Sequence, residues 1–385
     1  MKRPKQKAWK PAEHSARKGP GAQERRNRGG AWIAGGLLPA EAIYEPRRLE
    51  FGSLSPGNAT QCVFLKHGNR LPPPLFILAP PRSFTSLVCA MLGQHPQMYG
   101  LPETHLFCDE TLASRAERVA QETYPMDHGL LRAVAQLFFG GQTEATIRKA
   151  KQWLRLRSQL RTDLIFRILA DKVYPLILVD KSPSIIYDVK VLRHLQESFP
   201  RARFIHLLRH PRGHGESVMR YIQERSKYGP IPPTHWLLEI VSYPPHTPEE
   251  GAKGSHALDP QYGWYALNKN ICDFLISVPG GQKMQIRGED LLTKPAVGLR
   301  QIVTWLGLRT GARAIQRMMH PERSAYAYLG PPGARYGNDA FFLADPALRP
   351  SRAEPHSLDG ALSWRTDGQG FSSEVKRLAE QFGYT

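Results

Sequence analysis

The sequence predicts an α/β fold in which a central parallel sheet is flanked by helices. Short apolar segments that suit buried strands alternate with longer amphipathic segments that suit helices. The strand candidates are residues 75–79, 98–101, 176–180, 204–208 and 283–287. Apolar runs of this length, separated by helices, are typical of parallel sheets that are covered on both faces.

The helices are predicted from the segments between these strands. The first begins near Ser86 and ends at about residue 94, before His95-Pro96. Residues 110–170, 184–198, 213–225 and 297–306 also show helical patterns. Residues 227–262 are rich in Pro, Gly, His and Tyr, which is typical of a lid or binding loop, or of a variable insertion.

The first 70 residues are rich in Gly, Pro, Lys and Arg and show no sustained hydrophobic period. We expect residues 1–70 to form a mostly disordered basic extension, followed by one folded domain over 71–385. Residues 1–30 hold ten Lys and Arg against two Glu, so they carry +8 of the net charge of +18. Such a tail can make weak contacts with nucleic acid or anionic lipid, and it is also typical of a solvated extension.

Composition predicts the cellular compartment of the protein. No apolar run approaches the ~20 residues that a transmembrane helix needs. The basic N-terminus is not followed by an apolar segment, which argues against a secretory signal. The four cysteines form no CxxC pair, so neither a zinc ribbon nor a redox pair is indicated. These features together predict a cytoplasmic protein with reduced thiols.

The stretch 75–86 combines a strand, a turn and the start of a helix. Pro80-Pro81 ends the strand and places Arg82, Ser83, Thr85 and Ser86 on the turn. Backbone N–H groups at a helix N-terminus bind anions, and hydroxyl groups and a guanidinium strengthen that binding. We therefore expect an anion site at this turn.

Polar residues follow the other predicted strands as well. In parallel sheets, such residues meet at the edge formed by the carboxyl ends of the strands. The groups concerned are Glu103-Thr104-His105, Asp180-Lys181-Ser182-Pro183, and Arg209-His210-Pro211-Arg212 with Ser217 on the helix behind. The expected site thus combines basic groups, hydroxyls, a carboxylate and an imidazole.

These motifs resemble those of the sulfotransferases that use 3′-phosphoadenosine-5′-phosphosulfate (PAPS). The turn 81–86 looks like the 5′-phosphosulfate loop of that family. The segment 209–217, an Arg followed eight residues later by a Ser, looks like its 3′-phosphate motif. Residues 286–291 and 302–307 are similar to its late strand and helix. Residues 103–105 and 181–183 look like the Glu-x-His and Lys-Ser-Pro elements of the glycan-type and bacterial branch.

The resemblance spans about residues 75–385 and implies a P-loop-like sulfotransferase fold. It also implies transfer of a sulfuryl group from PAPS to a hydroxyl on a glycan, a lipid or a carrier-bound small molecule. The residues expected to bind the 5′-phosphosulfate are Arg82, Ser83, Phe84, Thr85 and Ser86, and those expected to bind the 3′-phosphate are Arg209 and Ser217. The Pro/Gly loop 330–337, which contains Arg335, either closes over the 3′-phosphate or is a plain turn.

The same resemblance suggests catalytic roles. Charge builds on the bridging oxygen of the leaving phosphate, where Arg82 and Lys181 would stabilise it. Glu103 is the expected general base with His105 positioning it, and the reverse assignment remains open. No metal is required.

Phe84 departs from the family pattern, because many members have glycine there. Glycine adopts positive φ and lets the backbone approach a phosphate closely. We expect the Phe84 ring either to point away from the ligand or to pack on a neighbour.

Parts of the sequence suggest three other functions. A P-loop kinase or NTPase needs GxxxxGK[ST], which this chain lacks. A zinc hydrolase is suggested by His206, His210 and His214, but His206 lies in a strand pattern and Pro211 breaks any helix that would align the three. A non-enzymatic protein could bind nucleic acid or a membrane surface through residues 1–30.

Overall fold

A computed structural model describes residues 65–121, 125–227, 258–349 and 356–385. The predicted extension up to residue 64 and most of the Pro-rich segment, residues 228–257, lie outside these ranges. The tail's contacts with nucleic acid or lipid therefore stay a prediction. Residues 65–70 are described and contact the folded domain, since the His67 N–H donates to Asp171 Oδ1 at 2.7 Å.

Five parallel strands form one sheet in the order β2-β3-β1-β4-β5. They are β1 (Leu75–Leu78), β2 (Met98–Gly100), β3 (Ile177–Asp180), β4 (Arg203–Leu208) and β5 (Lys283–Arg287). All five strands that the sequence predicts are present, and each pair of neighbours is parallel. The predicted fold class is confirmed.

Helices cover the sheet and connect its strands. Within the described residues they are α1 (Thr85–Leu92), α2 (Leu112–Gln121), α3 (His128–Phe139), α4 (Glu144–Arg155), α5 (Thr162–Val173), α6 (Val189–Ser198), α7 (Pro211–Ser226), α8 (Pro260–Ile276), α9 (Gly288–Thr293), α10 (Pro295–Trp305), α11 (Ala312–Met318), α12 (Ala340–Ala344) and α13 (Ser373–Gln381). None of these helices is both long and apolar enough to cross a membrane.

Two apolar clusters lie on opposite faces of the sheet. On β1, Phe76 and Leu78 belong to one cluster, and Leu75 and Ile77 belong to the other. This alternation follows from the two-residue period of a strand, and it explains why β1 is apolar throughout. The predicted helices on both faces are therefore present.

Two predicted boundaries differ from the structure. Residues 184–198 do not form one helix, because a short 3₁₀ turn (Pro183–Ile186) comes first and Asp188 then caps α6 by accepting the Lys190 N–H at 2.8 Å. The irregular segment predicted to extend to residue 262 ends earlier. Asp259 caps α8, which begins at Pro260.

The strand order places the functional motifs side by side. β1 pairs with β3 on one side and with β4 on the other. The turn that follows β1 is therefore flanked by the residues that follow Asp180 and Leu208. Arg82, Lys181 and Arg209 come from three adjacent strand ends, as the sequence predicts.

We expect the interior strand β4 to be sensitive to loss of apolar volume. Ile205 is fully buried, and Ile205→Ala should lower the free energy of unfolding by about 2–5 kcal/mol because it leaves a cavity. Val297, which is 52% exposed, provides the control. Val297→Ala should change stability by less than about 0.5 kcal/mol. Equal effects in urea denaturation would contradict the assignment of β4 to the core.

Candidate active site

The turn between β1 and α1 has an unusual backbone. Arg82 and Phe84 have φ values of 69° and 64°, in the left-handed region, and His105 has a φ of 48°. Within the described ranges these three are the residues other than glycine with positive φ. Conformations of this kind cost about 1–3 kcal/mol each and concentrate at functional sites.

The N-terminus of α1 is open to a ligand. Phe84 occupies the N-cap position but provides no side-chain hydrogen bond to the first N–H groups of the helix. Ser83 is buried, and its hydroxyl has no hydrogen-bond partner among the described residues. Free N–H groups beside a buried, unpaired hydroxyl match the predicted anion site.

Phe84 packs on neighbours, which is one of the two outcomes expected for it. Its ring lies against Gly288, where a Cβ would come within 2.5 Å of Phe84 Cδ2. The Arg209 guanidinium lies over the same ring, 4.3 Å from its centroid. The side chain thus packs on Gly288 and supports Arg209, while the backbone takes the conformation that glycine would provide.

Arg82 joins the two predicted nucleotide motifs. Its Nε donates to Ser217 Oγ at 3.3 Å, and its carbonyl accepts a hydrogen bond from the Arg209 guanidinium. Its own guanidinium forms an ion pair with Asp339. The motifs at 81–86 and 209–217 are therefore in direct contact.

Burial changes the pKa of Arg209, the basic residue at the start of the second motif. Burial lowers the pKa of Arg209 to about 10, so the side chain remains a cation at neutral pH. Its Nε has no hydrogen-bond partner among the described residues. A partly buried cation whose buried Nε has an unused donor is suited to an anionic ligand.

Lys181 links the turn to the predicted base. Its side chain is fully buried, and its Nζ donates to Ser86 Oγ at 2.7 Å and to Glu103 Oε1. A buried ammonium needs such partners, because leaving it unpaired is costly. Lys181 therefore contacts both the predicted anion-binding turn and the carboxylate.

This contact determines the charge of Glu103. Burial by itself raises the pKa of the carboxyl, but Lys181 and His105 outweigh that effect and lower the pKa to about 2. His105 Nε2 lies 3.8 Å from Glu103 Oε2. Its Nδ1 is hydrogen-bonded to Ser184 Oγ at 2.9 Å.

Asp180, the last residue of β3, and Ser182 hold the backbone that carries Glu103 and His105. Ser182 Oγ accepts the N–H groups of Thr104 at 2.9 Å and His105 at 3.0 Å. Asp180 in turn accepts hydrogen bonds from the Thr104 hydroxyl and the Ser182 N–H, both at 2.9 Å. This network explains why a residue such as His105 holds a left-handed conformation.

Two cavities open at this edge of the sheet. The first, which we call the Glu103 cavity, has a volume of about 60 Å³ and is lined by Pro81, Arg82, Thr85, Glu103, His105, Met126, Pro183, Ser184, Tyr187, Tyr221, Asp339 and Ala340. The second, the Arg209 cavity, has a volume of about 260 Å³ and is lined by Arg82, Phe84, Thr85, Ser86, Leu87, Arg209, Asp339, Phe341, Phe342, Asp345 and Ala347. Arg82, Thr85 and Asp339 line both.

Most of the predicted site residues meet here, but Arg335 does not. It is exposed and lines neither cavity, and its carbonyl accepts the Gly330 N–H at 2.8 Å within the loop. Its role at the 3′-phosphate stays a prediction.

The three histidines considered for zinc have separate partners. His206 bonds to Asn268 Oδ1 at 2.9 Å, His214 donates to the Pro81 carbonyl at 3.0 Å, and His210 accepts the Arg212 N–H at 3.1 Å. They do not converge on a common centre.

Two residues at the site were missed by sequence analysis. Arg115 is buried and donates to the carbonyls of Thr104, His105 and Met126, at 2.9 to 3.2 Å. Asp339 pairs with Arg82. Neither belongs to a motif. Asp339 is far along the chain from Arg82, and Arg115, although only 10 or 11 residues from its partners, follows no periodic pattern.

Comparison with known proteins identifies the family. The profile of the Sulfotransferase family matches residues 73–311. The chain belongs to the sulfotransferase family. Among curated proteins, no sequence matches it.

Solved structures agree with this assignment. The sulfotransferase domain of the olefin synthase of Synechococcus PCC 7002 is 27% identical, with a TM-score of 0.59 over 82% of this chain and 95% of that domain. The sulfotransferase domain of the curacin biosynthetic pathway is 23% identical and shares the fold, with a TM-score of 0.57 over 82% of this chain and 99% of that domain. The predicted family and enzyme class are confirmed: this is a sulfotransferase, which transfers a sulfuryl group.

We expect Gly288 to be required by the position of Phe84. Gly288→Ala places a methyl group against the Phe84 ring and should destabilise the fold by about 1–3 kcal/mol through overpacking. Gly280→Ala is the matched control, since no atom lies within 4 Å of the Cβ it would add. Urea denaturation measures both. A neutral Gly288→Ala variant would show that the Phe84 ring does not occupy this position.

Proposed function

We propose that this sulfotransferase uses PAPS as its donor and a hydroxyl group as its acceptor. The observation that carries the proposal is the contact of Lys181 with both Ser86 and Glu103. It puts a cation between an anion-binding turn and a carboxylate, which is the order that transfer of a sulfuryl group to a hydroxyl requires.

The residues present fit the donor. Its 5′-phosphosulfate would bind the N–H groups at the start of α1 and the hydroxyls of Ser83, Thr85 and Ser86. Its 3′-phosphate would bind Arg209 and Ser217. The unpaired Ser83 Oγ and Arg209 Nε provide donors for which no protein partner is present among the described residues. When bound, PAPS supplies the sulfuryl group and a phosphate leaving group.

The protein's part in the reaction follows from charge and position. The acceptor oxygen forms a bond to sulfur while the bond from sulfur to the bridging phosphate oxygen breaks. The electron pair stays on that phosphate oxygen, where Arg82 and Lys181 stabilise the negative charge. The acceptor proton passes to Glu103, and His105 positions the carboxylate from 3.8 Å.

The low pKa of Glu103 places a condition on this role. A carboxylate with a pKa of about 2 is a weak base. We propose that Lys181 turns from Glu103 towards the donor's sulfuryl group. Its hydrogen bond to Ser86 already places the ammonium beside the turn that is proposed to bind this group. Loss of the ammonium contact raises the pKa of Glu103 when the base is needed.

The Glu103 cavity is the proposed place of the acceptor hydroxyl. Besides its polar groups, its lining includes the apolar side chains of Pro81, Met126 and Pro183. Sugar hydroxyls against such walls would lose hydrogen bonds. Of the three acceptor classes that the sequence left open, the described walls suit the apolar chain of a lipid or carrier-bound molecule better than a glycan.

Calorimetry with adenosine 3′,5′-bisphosphate (PAP), the expected product, tests the donor assignment. PAP should bind and ATP should bind far more weakly, because ATP lacks a 3′-phosphate. Arg209→Ala should weaken PAP binding by about 10–150-fold, the value of one charge-assisted hydrogen bond. Arg148→Ala, on the exposed face of α4, is the control and should bind normally. Equal affinity for PAP and ATP would contradict the proposal.

Glu103→Gln should lower turnover by about 100-fold or more, because it removes the base, while PAP affinity changes little. Turnover is followed as PAP release from PAPS with water as the acceptor. The pKa of about 2 keeps free Glu103 ionised down to acidic pH. Wild-type kcat/KM, which reports on the free enzyme, should therefore show no acid-side decline between about pH 5 and 8.

The opposite result assigns the base to the other residue of the pair. A decline of kcat/KM towards acidic pH that His105→Gln abolishes would show that His105 accepts the proton. Full turnover by Glu103→Gln would remove the carboxylate from the mechanism.

A further inference from the structure

Asp339 is the acidic side chain that both cavities share. Its carboxylate forms an ion pair with the Arg82 guanidinium, the group proposed to stabilise the leaving phosphate. A negative charge beside an anion-binding site opposes the binding of an anionic donor. The position of the Asp339 carboxylate therefore needs a functional explanation.

Each oxygen of this carboxylate has a fixed partner. Oδ1 caps α12 by accepting the N–H groups of Phe341 at 3.0 Å and Phe342 at 3.1 Å. Oδ2 is the oxygen that pairs with Arg82. Because the cap fixes the orientation of the carboxylate, it also fixes the position of the guanidinium.

The segment around Asp339 contacts the rest of the proposed machinery. The Asp339 N–H donates to Ser86 Oγ at 3.2 Å, the same oxygen that accepts from Lys181. Two residues earlier, the Gly337 carbonyl accepts the Glu103 N–H at 2.7 Å. Two residues later, the Phe341 ring lies 4.7 Å from the Arg82 guanidinium carbon. The segment around Asp339 therefore contacts Arg82, Ser86 and Glu103 and holds them at fixed positions relative to one another.

We propose that Asp339 is a positioning residue that raises turnover by holding Arg82 at the leaving phosphate, and that it does so at the expense of donor affinity. The inference rests on the proposed function and adds to it a residue outside the known motifs. Its two effects have opposite signs. The fixed guanidinium favours the transition state, whereas the carboxylate repels the donor in the ground state.

Asp339→Asn separates these effects. Asparagine is a good N-cap residue, so α12 keeps an acceptor at its first turn while the negative charge is lost. PAP should bind about 3–30-fold more tightly, because a nearby repulsion is removed. Turnover, measured as PAP release from PAPS with water as acceptor, should fall by about tenfold or more. A structural defect would weaken binding and turnover together.

The chain offers a matched control in Asp259. Asp259 also caps a helix through Oδ1, at 3.3 Å from the Gln261 N–H, and pairs with an arginine, Arg365, through Oδ2 at 2.7 Å. It lines neither cavity. Asp259→Asn should therefore leave both PAP affinity and turnover near wild type.

A second background tests whether Asp339 acts through Arg82. In Arg82→Gln, adding Asp339→Asn should lower turnover no further, because the guanidinium that Asp339 positions is gone. A further tenfold loss would overturn the proposal. So would an Asp339→Asn enzyme with unchanged turnover, or with weaker PAP binding in a protein whose thermal unfolding is normal. Should Asp339→Asn unfold, Asp339→Ser, which also keeps a cap, carries the same expectations.

Failure of this inference is distinguishable from failure of the proposed function. If wild-type protein does not prefer PAP to ATP, the donor assignment is wrong and the inference goes with it. If wild-type protein binds PAP and Asp339→Asn shows no opposite change in affinity and turnover, the donor assignment stands and the role of Asp339 is overturned.

Discussion

The buried ammonium of Lys181 is the contact on which the site depends. It follows the carboxyl end of β3, between β2 and β1 in the sheet, and has no access to solvent. A buried charge requires partners, and those it has are Ser86 on the turn after β1 and Glu103 after β2. One side chain thus fixes the distance between the predicted anion-binding turn and the carboxylate. It also keeps Glu103 ionised, so the same contact determines both geometry and charge.

The residues with left-handed backbone conformations show which contacts maintain the geometry of the site. Arg82, Phe84 and His105 each hold a conformation that costs free energy, and each is held by contacts from another part of the chain. Arg82 is bonded through its carbonyl to Arg209, Phe84 packs on Gly288, and the His105 N–H donates to Ser182. The strain is tolerable because the sheet behind the loops is rigid and fully packed on both faces.

Sequence patterns predicted the sheet and the groups at its strand ends, because both depend on local features. A run such as Leu75–Leu78 is apolar at every position only if it is buried on both faces, and parallel strands direct their following residues to one edge. Asp339 could not be predicted in this way. It contacts Ser86 from 253 positions along the chain, and a single Asp before a short helix is typical of any N-cap. Arg115 was missed for a related reason, since a buried arginine that satisfies three carbonyls leaves no periodic signal. Arg335, in contrast, lay in a conspicuous Pro/Gly loop, yet the loop directs it to solvent.

The pairs Asp339–Arg82 and Asp259–Arg365 show how one local geometry can have two consequences. Both aspartates cap a helix with one oxygen and bind an arginine with the other. Arg365 also pairs with Asp367, so two carboxylates compensate its charge. The Arg82 side chain is only 9% exposed, and it stands between two cavities at the N-terminus of α1. The Asp259 cap lies away from both cavities and stabilises α8. In the proposed mechanism, the same local geometry beside the N-terminus of α1 controls where the Arg82 charge points, because burial of Arg82 strengthens its electrostatic effect and removes the alternatives that water would provide.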